Sequence, residues 1–324
     1  MPPGHDRLLR VQSSLTPRDR QLLHWLQDHG VLSTEQVAVA LFPSLVAAQR
    51  RLLLLTSREV LSRFRPQRWV GGSYPYHYVL GRLGLEVVAA DRGKPLPSPA
   101  LVRRRQARLL VSARLPHRLA VNGFFAQLAG YARTHPERRA ALERWWPAAQ
   151  FHEGIYRPGD SPILLYGTEP HPRPDGYGLW TEDGQTVPFF AEIDRGTESI
   201  VVLLKKVSDY DRRARATDWA WPVLFWLPSV VRERHFQEAL ARPAGSLRVP
   251  VATATWSAPA EPAETVERQL ASAKSTAPPL STGESSPAGP VWQLAGEDPE
   301  DRFRLSELPY TDADPRTPPG EEPS

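Results

Sequence analysis

Three carboxylates in the middle of the chain have the types and spacing for metal chemistry. Asp175 lies in the step Arg173-Pro174-Asp175-Gly176. Farther on, Pro188-Phe189-Phe190-Ala191-Glu192-Ile193-Asp194-Arg195-Gly196 has the alternation of a strand. Side chains two apart on a strand share a face, so Glu192 and Asp194 point one way and Phe189, Ala191 and Ile193 the other. Acids in an apolar strand are costly unless solvated, paired or bound to metal. With Asp175 they form an oxygen ligand set that suits a hard cation such as Mg²⁺. Ion pairing to Arg173, Arg195 or Lys206 without metal is the other reading of the same residues. The helix that follows buries Ile200, Leu203, Leu204 and Val207. At 100° per residue, Lys206 and Tyr210 fall one turn apart on an edge of that stripe, while Lys205 faces solvent.

The elements around these residues alternate. Strands are expected at 146–152, 176–181, 187–194, 221–227 and 246–255, with helices at 198–215 and 230–241. That is an α/β layer. A long helix is expected over 121–144, with Phe124, Phe125, Leu128 and Tyr131 as its packing residues.

The front of the chain reads differently. Residues 1–14 look like a flexible lead. Thr16, followed by Pro17, opens a helix that Gly30 ends. Ser33 with Gln36 fits a capping box for a second helix through Leu41. A third helix runs over 44–55, and two strand-like runs, 60–64 and 76–80, flank Gly71-Gly72-Ser73. Three short helices and a hairpin form the order of a winged helix-turn-helix over 15–94, in which the third helix enters the major groove of double-stranded DNA. Gln49, Arg50, Arg51, Arg63, Arg65 and Arg68 fall where base or phosphate contacts would be made. A solvated arginine face, or a protein-interaction module on the same fold, is the alternative. A basic linker and helix over 95–120 carries Arg103, Arg104, Arg105, Arg108, Arg114 and Arg118. It is either a second phosphate-contacting surface or a solvated face.

Composition sharpens this division. Residues 1–150 hold 23 Lys and Arg against 9 Asp and Glu, a net of +14; residues 151–256 hold 12 against 14; residues 257–324 hold 5 against 13. The basic front half is the electrostatic footprint of a nucleic-acid binder. The last stretch, rich in Pro, Ser, Ala and acids, is expected to be disordered, with Trp292-Gln293-Leu294 and Phe303-Arg304-Leu305 as its few apolar points. The chain has no cysteine. This excludes disulfides, thiolate zinc sites and cysteine nucleophiles, and fits a reducing cytoplasm. No apolar run suggests a membrane span, and the polar start does not resemble a signal peptide. His152 and His171 lie near the acids in sequence, but the nine histidines form no HxH or HxxxH pair. Gly71-Gly72 lacks the sequel of a phosphate loop, which argues against a nucleotide-driven motor.

The order helix, strand, strand, acidic strand, helix, strand over 121–256 resembles the PD-(D/E)xK nuclease core, a restriction-endonuclease-like fold. Pro174-Asp175 and Glu192 resemble its metal-binding carboxylates. Two residues after Glu192, where that motif has lysine, this chain has Asp194. The resemblance therefore implies a lysine supplied from the next helix, and Lys206 is the candidate. More specifically, the chain resembles the plasmid replication-relaxation family of mobile elements over roughly 15–255. The matching residues are Leu15-Thr16-Pro17-Arg18-Asp19, Leu115 to Asn122, Arg173 to Gly176, Phe190 to Glu198, and Lys206 with Tyr210. Where the family carries a Glu shortly after the Trp of the first core strand, this chain has Trp146-Pro147-Ala148-Ala149-Gln150, with Glu153 as a substitute. The resemblance implies a DNA-handling protein acting in replication or relaxation, alongside other replication or transfer proteins of its element. A Mg²⁺-dependent endonuclease with Asp175, Glu192, Asp194 and Lys206 at its centre is one version. A non-catalytic accessory factor or regulator is the other. Tyr210 is expected to pack or hydrogen-bond, with a covalent tyrosyl-phosphate as the alternative.

Overall fold

The computed structural model describes residues 3–65, 75–110, 112–147, 172–216, 220–241, 247–256 and 279–311. The chain is mixed α/β and divides into two compact units, Met1–Ala126 and Gln127–Ser324. The boundary falls inside one long helix, Leu115–Thr134.

The first unit begins with helix α1 (Pro3–Ser14), where a flexible lead was expected. Leu8 and Val11, one turn apart, are buried, and Arg58 donates to Ser14. The lead is thus held by a narrow apolar edge that its polar composition conceals. Helix α2 (Pro17–His29) starts at the expected Thr16 cap, whose hydroxyl accepts from the Asp19 amide while the Asp19 carboxylate accepts from Thr16 N–H. After the two-residue strand β1 (Leu32–Ser33), the Ser33–Gln36 capping box opens α3 (Thr34–Leu41). Ser44 caps α4 (Leu45–Ser57). Strands β2 (Leu61–Phe64) and β3 (His77–Leu80) pair antiparallel, and β1 adds to the other edge of β3. The expected order of three helices and a hairpin is present; the tip at 71–73 and Arg68 lie outside the described residues.

Helix α5 (Arg82–Asp91) packs where β2 begins: a Cβ on Gly84 would stand 2.2 Å from the Val60 carbonyl oxygen, so only glycine fits. Helix α6 (Pro99–Leu110) is fastened by Gln106, which donates to the Leu80 carbonyl at 3.0 Å and to Ser62 at 3.3 Å. The first half of α7 (Leu115–Thr134) closes the unit, with Asn122 donating to Val31 O and Gln36 to Leu119 O.

The second unit is a six-stranded sheet in the order β4-β5-β6-β7-β8-β9. Its strands are β4 (Ala141–Pro147), β5 (Gly176–Glu182), β6 (Gln185–Ile193), β7 (Val223–Leu227), β8 (Val251–Thr255) and β9 (Gln293–Leu294). The β6–β7 and β7–β8 pairs are parallel and the rest antiparallel. The parallel pairs require crossovers, supplied by α8 (Ile200–Ala216) and α9 (Val230–Leu240). One face of the sheet packs Tyr177, Phe190, Val223 and Phe225 against Leu203, Val207 and Tyr210 of α8 and Phe236 of α9. On the other face the Phe189 ring lies over Gly178, where a Cβ would stand 2.1 Å from a ring carbon.

Two expectations change here. The long helix ends at Thr134, ten residues early; Pro136 follows, Arg139 adopts a left-handed φ of 46°, and the chain then becomes β4. A Pro136 turn breaks the helix at 135–140, and pairing with β5 overrides the helical reading of 141–144. The expected strand from Trp146 onward is therefore β4 displaced toward the N-terminus, and 148–171 lie outside the described residues.

Residues 279–311 are also ordered, against the expectation of a disordered tail. Strand β9 pairs with β8, and Trp292 is fully buried with its ring 5.5 Å from that of Trp226. Arg302 pairs with Glu233 and Arg304 with Glu182, both acids being buried. The polar composition averages over a few anchors strong enough to hold the segment: one buried tryptophan contributes roughly 2–3 kcal/mol. The remainder of the expected tail, 257–278 and 312–324, lies outside the described residues.

Candidate functional site

Sheet register creates the site. Gly176 is paired with Ala191 in the β5–β6 ladder, and Asp175 N–H donates to Ala191 O at 3.0 Å. The ladder thus runs one step past the strand and sets Asp175 opposite Glu192. Directly opposite residues of an antiparallel pair share a face, with Cβ atoms about 4.5–5.5 Å apart. The buried Pro174 precedes β5, and Asp175 Oδ2 accepts from Ile193 N–H at 2.8 Å, so both its backbone and its carboxylate are tied to β6.

Helix α8 crosses the same face and supplies the partners. Lys206 Nζ donates to Glu192 Oε2 at 3.0 Å, and Tyr210 O–H donates to Glu192 Oε1 at 2.7 Å. Lys206 also reaches Glu198 Oε2 at 2.9 Å. The helical edge expected to carry Lys206 and Tyr210 is therefore the edge that meets Glu192. Tyr210 hydrogen-bonds there, and its ring packs 5.2 Å from that of Phe190.

Glu192 is 2% exposed. Burial, and then the like charge of Asp175, push its pKa up to about 7, more than Lys206 and Tyr210 return. Burial alone would lower Lys206, but the Glu192 and Glu198 carboxylates outweigh it and hold the ammonium firmly protonated. Burial and the neighbouring Glu192 carboxylate raise Tyr210 well above an ordinary phenol, so it remains a donor.

Asp194 shares the strand face but is committed elsewhere. Its Oδ1 accepts from Gly196 N–H at 2.8 Å, and its Oδ2 is ion-paired with Arg232 of α9. Arg232 also donates to the Glu198 carbonyl, tying the β6–α8 turn to α9. In this structure both Asp194 oxygens are engaged, one by the backbone of the β6–α8 turn and one by α9. Neither Arg232 nor Glu198 was expected at the site. Arg232 lies 38 residues from Asp194 with no local signal, whereas Glu198 stands in the acidic run. Among the described residues, no group of three or more His, Cys, Asp or Glu is arranged to hold a metal ion. What converges is Asp175, Glu192 and Lys206, with Tyr210 beneath. Glu153, His152 and His171 lie outside the described residues.

A model of the replication-relaxation family matches residues 23–225. The chain belongs to that family. The match spans both units and includes Asp175, Glu192, Asp194, Lys206 and Tyr210. Membership brings a role in plasmid or mobile-element replication or relaxation, and with it a DNA context. No curated protein and no solved structure matches the chain. No single helix among the described residues is long and apolar enough to cross a membrane.

The residues expected at a DNA face in this replication-relaxation protein separate into groups. Gln49 and Arg50 are exposed on α4. Arg63 and Arg65 are exposed near the hairpin, with guanidinium carbons 4.1 and 5.0 Å from the Tyr76 ring centre. Arg51 is turned inward, against expectation: its Nε donates to Asp19 Oδ1 at 2.9 Å and its Nη2 to the Ser14 carbonyl. Burial would raise the Asp19 pKa, but Arg51 and Thr16 overcome that and hold it low. Arg51 therefore locks α4 to α2 and α1.

Proposed function

We propose that this replication-relaxation protein binds double-stranded DNA through its first unit, a winged-helix domain, and carries a phosphodiester-processing site of nuclease-like design in its second. The observation that supports the site is the facing pair Asp175–Glu192 with Lys206 on Glu192. A structural ion pair does not call for a second carboxylate facing the first, whereas facing carboxylates are a common way to hold a divalent cation.

The donor set fits Mg²⁺, which keeps several waters and takes one or two carboxylates beside substrate phosphates. The raised pKa of Glu192 marks a surplus of negative charge at that point, which a cation would relieve. Asp175 and Glu192 would hold it; Asp194 would not, because Arg232 occupies it. Bound Mg²⁺ supplies charge that polarises a phosphoryl oxygen and acidifies a water. Lys206, kept protonated by two carboxylates, stabilises negative charge developing on the phosphate. Tyr210 holds Glu192 in place and, with its phenol well above neutral pKa, is a donor and not a nucleophile. In hydrolysis a water oxygen bonds to phosphorus, one P–O ester bond breaks, and the leaving sugar oxygen takes a proton.

Mg²⁺-dependent nicking of supercoiled plasmid tests this, with wild type beside Asp175→Ala and Glu192→Ala. Loss in both variants with DNA binding retained is expected. Equal activity in all three refutes the assignment. No activity in any of them, with DNA binding intact, favours a non-catalytic accessory factor in which Lys206 and Tyr210 satisfy a structural acid.

A further inference from the structure

The first unit pairs its acids unevenly. Asp19, Asp28, Glu59, Glu86 and Asp91 neutralise Arg51, Arg92, Arg7, Arg82 and Arg20. Glu35 accepts from the Ser33 hydroxyl. Those pairs cover α1, α2, α4 and α5. Exposed arginines remain on α2 (Arg18), α4 (Arg50) and the hairpin (Arg63, Arg65), but the densest run lies on α6 and the turn into α7. Arg103, Arg104, Arg108, Arg114 and Arg118 are exposed there, and none has an ion-pair partner among the described residues.

The helix has a fixed inner side. Val102 is buried, and Gln106 holds the hairpin base through Leu80 O and Ser62. Arg104 and Arg108 are one turn apart on the opposite side, with Arg103 on its flank. Like charges one turn apart destabilise a helix unless a partner neutralises them. The outward face of α4 is different. Val46 and Leu53 are each 53% exposed, beside Leu45 and Leu54, and Arg50 is the one cation among them.

We infer that α6 and the following turn, through Arg103, Arg104, Arg108, Arg114 and Arg118, form the surface that grips the DNA phosphate backbone, while α4 contributes little of the electrostatic affinity. This rests on the proposal that the first unit binds DNA. Spaced arginines without acids match a regular array of phosphates, and each contact releases a counterion. The contacts position the protein without reading sequence.

The test is the salt dependence of the full chain's affinity for duplex DNA. Each phosphate contact contributes roughly 0.9 to the slope of log K against log salt. The Arg103→Gln, Arg104→Gln, Arg108→Gln triple variant is expected to flatten the slope by about 2–3. Between about 50 and 200 mM salt, that slope change makes the variant's loss of affinity roughly 40-fold smaller than that of wild type. The same three positions changed to Lys should restore the slope. The Gln49→Ala, Arg50→Ala variant should flatten it by no more than about 1. Wild-type chain that does not bind DNA overturns the proposed function. Binding by wild type with an unchanged slope in the folded triple variant overturns this inference alone. A steep loss in the α4 variant overturns it too.

Discussion

Replacing Asp175 by Asn should make the protein more stable. Asp175 and Glu192 face each other across the β5–β6 ladder, where two like charges repel. At about 5 Å and an effective dielectric constant near 20, two full charges repel by roughly 3 kcal/mol. Asp175 is only half-buried, and Lys206 offsets part of the repulsion, so roughly 1 kcal/mol remains. Asn keeps the acceptor for Ile193 N–H through its own carbonyl oxygen, so removing the charge need not remove the hydrogen bond. The melting temperature should rise by about 2–4 °C for a unit of this size.

The gain has a defined pH dependence. The folded pKa of Glu192, about 7, lies above its ordinary 4.5, so the folded state holds this proton more tightly than the unfolded one. Its contribution to stability is greatest below 4.5 and declines as pH rises to about 7. Asp175→Asn lowers the folded pKa and so shortens that decline. The variant should exceed wild type in urea or thermal melts at pH 8 and match it near pH 5, where Glu192 is neutral in both. Mg²⁺ at about ten times its Kd should stabilise wild type by about 1.4 kcal/mol and the variant by much less. A variant less stable than wild type at pH 8, or equally stabilised at both pH values, would refute the repulsion.

Lys206→Met removes a charged donor from Glu192 and should destabilise the second unit by about 2 kcal/mol at pH 8 and less at pH 5, measured by urea unfolding at both. Trp292→Ala empties a fully buried site beside Trp226; a loss of about 3–5 kcal/mol in chemical unfolding is expected, and no loss would mean that 279–311 is not part of the folded core. His77 is buried at the turn end of the β2–β3 hairpin, opposite Phe64, and burial lowers its pKa below 6.5. A His with a depressed folded pKa resists protonation while the unfolded chain accepts it, so stability is full above about 6.5 and falls as pH drops below that. His77→Phe should flatten the acid limb of the melting curve between pH 7 and 5.

The features legible in the sequence are those written within a turn or two of the backbone. Thr16 and Ser33 announce their caps because the bonds they make reach only to the third residue onward. The alternation of β6 and the 100° period of α8 together set Glu192, Lys206 and Tyr210 on facing surfaces. The reach of those periodicities ends where side chains from distant elements compete. Arg51 fits a DNA-facing helix equally well in sequence; Asp19, buried 32 residues earlier, draws it inward. Asp194 follows Glu192 by two residues and shares its face, yet Arg232 decides its role from another helix. Residues 141–144 satisfy a helical pattern until β5 offers them an edge to pair with. Composition misleads at both ends for a related reason, because α1 and 279–311 are held by a few buried contacts inside polar stretches.

These long-range choices also explain why the acidic strand has a mild character at its end. Arg232 cancels Asp194, so the strand's second acid adds little net charge toward α8. The uncompensated repulsion is confined to Asp175 and Glu192, the two residues the ladder forces together. Lys206 divides itself between Glu192 and Glu198, so it does not fully neutralise that pair. An amide at Asp175 could accept the same hydrogen bond from Ile193 without the charge. If the proposed cation binds there, its charge would offset the repulsion between Asp175 and Glu192, and the Asp175→Asn comparison with and without Mg²⁺ measures that offset.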